Sequence, residues 1–133
     1  MQEFKISQFI PALQLLVIAD LIDTEEGSWY SQKVRELGTI IGTMPATYDQ
    51  DGKGDEAIVY LHYFSGGANW YITEKDATGV GTQQAFGYAE VHAGEGELGY
   101  ISIAELVRSR FVELDLHWTP RTLRECMLKH EDH

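Results

Sequence analysis

Five residues, SGGAN from Ser65 to Asn69, separate two stretches with strand chemistry, and so short a link leaves one way to join them. Before it, AIVYLHYF (Ala57–Phe64) is β-branched and aromatic throughout. After it, WYITEKD (Trp70–Asp76) alternates, with Trp70, Ile72 and Glu74 on one face and Tyr71 and Thr73 on the other. A parallel return needs a dozen or more residues, so the two must run antiparallel. QQAFGYAEVH (Gln83–His92) follows a Gly- and Thr-rich loop and extends the pair into a meander. FVELDLHW (Phe111–Trp118) alternates again and predicts a further strand, with Glu113, Asp115 and His117 sharing a face.

Helices flank this sheet. The first is expected from about Ile10 to Ile22, with Pro11 in its first turn, where a missing N–H costs nothing. It is apolar on most faces, which predicts deep burial or a covering partner. At this length, and interrupted by Asp20, it does not span a bilayer. DTEEG follows it in place of a small-residue cleavage site, so no membrane partner is expected. A second helix starts near Trp29, with Tyr30, Val34, Leu37 and Ile41 in one stripe, and Gly42 and Pro45 end it. AGEGE (Ala93–Glu97) reads as a turn and LGYIS as a short extended piece. Ser102 and Glu105 form an S-x-x-E capping box for a third helix reaching Ser109. Thr119, with Pro120 behind it, predicts the cap of the last helix, whose stripe is Leu123, Cys126 and Met127. The expected fold is α+β over a single domain, 1–133: two N-terminal helices, an antiparallel sheet of four or five strands, and two short C-terminal helices.

Charge narrows the partners. Twenty-one acids oppose ten Lys and Arg, for a net charge of −11. Sixteen of the acids but only five of the bases precede Arg108. Such a field repels phosphate backbones, so no direct nucleic-acid binding is expected, and a basic protein partner is favoured. The single cysteine, Cys126, excludes an intramolecular disulfide, fits a cytoplasmic setting, and sits at helical spacing as a buried structural thiol.

Candidate sites follow from residue type. His92, Glu97, Asp115 and His117 would suit a divalent transition metal if the fold converged them, though no H-x-x-x-H or H-E-x-x-H spacing supports it. Asp49, Asp51 and Asp55 fall near calcium-loop positions, but Lys53 and Tyr60 break that pattern. Glu74 with Glu97 or Asp115 would make an acid/base pair, and carboxylates are abundant enough for such pairs to arise by chance. No phosphate-loop or cofactor motif is present.

Three stretches carry a family pattern: IVYLHYFSGGANWYITEKD, AFGYAEVHAGEGELGYISIAEL and VELDLHWTPRTL. They resemble bacterial domain-of-unknown-function family 2958 over about positions 57–125. Trp70, Tyr71, Glu74, Phe86, Gly87, Glu97, Leu98, Gly99, Tyr100, Ser102, Glu105, Leu106, Glu113, Asp115 and Pro120 match its motifs. His62 stands where that family usually has a basic residue, Leu114 replaces an arginine, and Trp118 replaces a phenylalanine. The resemblance implies no chemistry. It implies a plasmid or conjugative-element setting and an accessory or anti-defence role, by association alone.

The expectation is therefore a cytoplasmic, non-enzymatic interaction module of a mobile element, without a cofactor, whose carboxylates pair with a basic host protein. Its expected contact residues are Trp29, Trp70, Tyr71, Glu74, Glu95, Glu97 and Tyr100. The alternative is a small metal-dependent hydrolase using His92, Glu97, Asp115 and His117. Homodimerisation through the apolar first helix is a further expectation.

Overall fold

The structure, a computed structural model, describes residues 6–92 and 95–131, with side chains as far as Met127. It is α+β, as the sequence predicts. The first strand segment is broken at Tyr60 into β1 (Ile58–Val59) and β2 (Leu61–Ser65). β3 (Ala68–Glu74), β4 (Ala85–His92) and β5 (Glu95–Ile101) follow, each antiparallel to the one before. β6 (Glu113–Leu114) joins the free side of β2, so the sheet order is β5-β4-β3-β2-β6.

One face of this sheet presents Leu61, Tyr63, Ile72, Ala85, Ile101 and Leu114 to the main core. Two helices complete that core. α1 (Ala12–Ile22) begins after Pro11 and contributes Ile18; α2 (Gly27–Thr43) contributes Leu37 and Ile41, with Tyr30 and Val34 half-buried beside them. Tyr63 is fully buried, and its hydroxyl donates to the Phe9 carbonyl. Tyr63→Phe strands that carbonyl away from water, and we expect it to cost about 1–2 kcal/mol. Urea denaturation followed by circular dichroism checks this, and an unchanged midpoint contradicts it.

The opposite face holds a smaller core of Val59, Tyr71, Leu123 and Cys126, with Tyr88 and Trp118 packed against it. α4 (Leu123–Glu131) covers it, and the Cys126 side chain is buried there. No helix among the described residues is long and apolar enough to cross a membrane.

Three local expectations are corrected. Glu95, Gly96 and Glu97 are strand, not turn: β5 pairs with β4 down to His92 opposite Glu95, and the Ala93–Gly94 link lies outside the described residues. Backbone pairing overrides the glycines there; a Cβ at Gly96 would meet the Tyr88 ring at 1.9 Å, so that glycine makes room for an aromatic. The strand expected over Phe111–Trp118 shrinks to β6, because Asp115 Oδ1 accepts the His117 N–H at 2.9 Å and turns the chain. The last helix is capped by Thr122, not Thr119. β7 (Arg121–Thr122) is paired with β1, so the helix cannot begin before Leu123. Thr122 Oγ1 then accepts the Glu125 N–H at 3.2 Å, and the Glu125 carboxylate accepts the Thr122 hydroxyl at 3.1 Å. The Ser102 cap of α3 (Ile103–Arg108) forms as predicted, with Oγ accepting the Glu105 N–H at 3.2 Å.

Candidate functional site

The loop after α2 builds a pocket against the second face of the sheet. It leaves Pro45 tied to β3: the Lys75 N–H donates to the Pro45 carbonyl at 3.0 Å, and the Thr47 N–H to the Lys75 carbonyl at 2.8 Å. Lys75 itself is buried, and its ammonium donates to the Ile41 carbonyl at 2.6 Å, capping α2. Burial pulls its pKa below the ordinary lysine value. Asp49 Oδ2 accepts the Ala46 N–H at 2.9 Å, and Asp55 pairs with Arg124 at 3.3 Å. Asp49 is thus engaged within the loop, and Asp55 ties the loop to α4.

Gln50 anchors the loop. Its buried amide donates to the carbonyls of Ile58 at 3.0 Å and Thr73 at 2.8 Å, and accepts the Ile58 N–H at 2.8 Å. Its backbone N–H reaches Glu74 Oε1 at 3.3 Å, while the Thr73 hydroxyl donates to Glu74 Oε2 at 2.8 Å. Glu74 is therefore a buried carboxylate, 3% exposed, held by two hydrogen bonds. Among the described residues it has no lysine or arginine partner.

Glu74 and Thr73 line a pocket of about 400 Å³ with Gln50, Tyr48, Phe86 and Leu98. Gly52 and Gly54 bend the loop around it with φ of 82° and 56°. Tyr48 also has a left-handed backbone, φ 78°, which a bulky residue seldom adopts. Its hydroxyl is hydrogen-bonded to that of Tyr100 on β5, so the two side chains join the loop to the sheet's edge. That bond is the largest of the influences that raise the Tyr100 pKa above the ordinary phenol value. Tyr100 also meets Phe86 edge to face, with ring centroids 5.8 Å apart.

The predicted metal ligands are not brought together. His92 and Glu97 lie on β4 and β5, whereas Asp115 and His117 follow β6. β5 and β6 form the opposite edges of the sheet, roughly 19 Å apart at the usual strand spacing. Asp115 engages His62, with Oδ2 3.1 Å from Nδ1, and His117 lies beside Trp29 with ring centroids 5.2 Å apart. Among the described residues no three His, Cys, Asp or Glu are grouped to hold a metal.

The predicted contact residues divide by burial. Tyr71 and Glu74 are buried, and Trp70 packs half-buried on the main core. Trp29, Glu95, Glu97 and Tyr100 are exposed. The pocket's Tyr48, Gln50, Thr73 and Phe86 were not legible as site residues; the one local hint was a tyrosine beside a Gly-rich acidic loop.

His62 has its second nitrogen 2.8 Å from Asn69 Oδ1, and it stacks on Tyr71 with centroids 4.9 Å apart. The Asn69 amide nitrogen donates to the Gly67 carbonyl at 3.3 Å, which orients its oxygen toward the ring. Both His62 nitrogens thus face oxygen atoms, Asp115 Oδ2 and Asn69 Oδ1. With both nitrogens engaged, it is not a base poised for substrate.

A family model described as protein of unknown function (DUF2958) matches residues 32–123. The match reaches further toward the N-terminus than the motif resemblance, and so includes the whole pocket loop. No curated protein and no solved structure matches the chain.

Proposed function

The chain belongs to the DUF2958 family, whose description names no activity, and from its surface we propose that it is a non-enzymatic module that docks a partner protein along α1. One observation carries this reading: of the eleven residues of α1, only Ile18 is buried. Leu13, Leu16 and Val17 are 54%, 66% and 50% exposed, on a helix of almost wholly apolar sequence. Burying each such side chain is worth about 1.5–3 kcal/mol, so a partner has a large gain on offer. A groove of about 260 Å³ runs between Ala12, Leu13 and Leu16 and the end of α3 at Val107–Arg110. Phe111, 79% exposed, extends the apolar surface beyond it. The α1 helix lies outside the residues the family model matches, whereas Val107–Arg110 and Phe111 lie within them.

Charge selects the partner. The far end of α1 and the turn after it expose Asp20, Asp23, Glu25 and Glu26, with Trp29 at the start of α2 as an aromatic anchor. A basic host protein with an apolar strip complements this arrangement, and salt weakens its capture. The proposed setting is the cytoplasm, as an accessory protein of a mobile element that blocks a host nucleic-acid-binding or defence protein; the net charge of −11 supports it. We expect a basic protein to be recovered from bacterial lysate at low salt, less at high salt, and not by Leu16→Glu. Equal recovery by the variant would remove α1 as the docking face.

A second copy of the chain is a reading the same charges favour. Arg108 and Arg110 flank the N-terminal half of α1, opposite in sign to its acidic far end. An antiparallel pairing of two α1 helices sets each arginine pair against the other copy's acids. Light scattering over a concentration series distinguishes the readings: a strict monomer leaves the host partner alone.

A further inference from the structure

The pocket around Glu74 is independent of the α1 surface, and we propose that it binds a small organic cation, an ammonium or guanidinium head on an apolar or aromatic body. The floor sets the charge. A carboxylate can accept about four hydrogen bonds, and Glu74 receives two, one to each oxygen. Keeping an ionised carboxylate out of water is costly unless a cation offsets it, and no lysine or arginine among the described residues does so. Lys75, next in the chain, is turned to the carbonyl end of α2 instead. A cationic head entering the pocket supplies the missing charge and the missing donors together.

The walls set the body. Phe86, Leu98 and the Tyr48 ring give aromatic and aliphatic surface. Rings beside a carboxylate suit a cation twice, through the carboxylate and through their π faces. A volume of about 400 Å³ lies at the lower end of the usual range for small-molecule pockets, so the body is short. The field excludes the opposite class. Asp51 also lines the pocket, Asp49, Asp55 and Glu56 lie in the same loop, and the chain is strongly acidic, so a phosphate or carboxylate ligand is repelled.

Tyr48 borders the pocket, its exposed hydroxyl is hydrogen-bonded to that of Tyr100 on β5, and Gly52 and Gly54 lie in the same loop.

Calorimetric titration and thermal melting with four probes test the assignment: benzamidine and agmatine as cations, benzoate and benzyl alcohol as an anionic and a neutral match. The cations are expected to bind and to raise the melting temperature, and the other two to do neither. Glu74→Gln is expected to weaken cation binding at least about tenfold. Leu98→Trp, a change at an exposed edge-strand position, fills the pocket and is expected to abolish binding with the circular dichroism spectrum retained; it decides the matter should Glu74→Gln fail to fold. A blocked Gly-Arg-Gly peptide separates the two sources of a guanidinium. Tighter binding of agmatine assigns a free small molecule, and tighter binding of the peptide assigns a polypeptide side chain. Benzyl alcohol binding as well as benzamidine, binding that survives Leu98→Trp, or no cation bound at roughly 10 mM overturns the proposal.

Discussion

Gln50→Leu is expected to lower the stability of the chain by about 3–5 kcal/mol. The Gln50 amide satisfies three backbone groups, the N–H and carbonyl of Ile58 and the carbonyl of Thr73. It takes the place of a strand between β1 and the bulged end of β3. Leucine fills the space but leaves those groups without partners, at about 1–3 kcal/mol for each one water cannot reach. Equilibrium unfolding in urea reads the loss. A variant within about 1 kcal/mol of the parent would mean that water enters and replaces the amide. The pocket should fail with it, since Gln50 also presents the backbone N–H that holds Glu74.

Gly87→Ala is the second large effect, and it acts through space alone. A Cβ at Gly87 would stand 1.9 Å from the Tyr71 carbonyl oxygen and 3.0 Å from Ile72 Cα. Both are backbone atoms of β3, so no rotamer change relieves the clash; the strands must part. β3 carries a bulge between Ile72 and Glu74, next to this contact. Overpacking usually costs about 1–3 kcal/mol, and rigid backbone on both sides places this change at or above the top of that range. The melting temperature should fall by roughly 10 °C or more. A melt within a few degrees of the parent would show that the sheet flexes far more readily than its packing implies.

What was legible in the chain was local. The first helix declares itself by an apolar run behind Pro11, the second by periodicity ended at Gly42 and Pro45, and the Ser102 cap by two residues three apart. The meander follows from link length. What was not legible depends on bonds across long separations: Gln50 reaches a carbonyl 23 residues away, and His62 pairs with Asp115 across 53. Trp70–Asp76 misled for a physical reason. Alternation separates inside from outside only when one face of a sheet meets water. Here helices cover one face, and the pocket loop with α4 covers the other, so Tyr71 through Asp76 are all buried. Thr73, Glu74, Lys75 and Asp76 are tolerated there because each finds hydrogen-bond partners. Glu74, expected on a surface, thereby became the floor of a cavity.

A glutamine also finishes the sheet at its far side. The Gln14 amide, projecting from α1, donates to the Leu114 carbonyl at 2.8 Å and accepts the Leu114 N–H at 2.7 Å. The two outward groups that β6 would offer to another strand are spent on it. Seven-residue β5, at the other border, has no such cover among the described residues. A sheet with two bare borders can polymerise without end, each molecule templating the next. With one border sealed, strand addition joins two molecules back to back and then has nowhere left to grow. The side chain that trims β6 thus sets an upper limit on the size of any assembly this sheet can make.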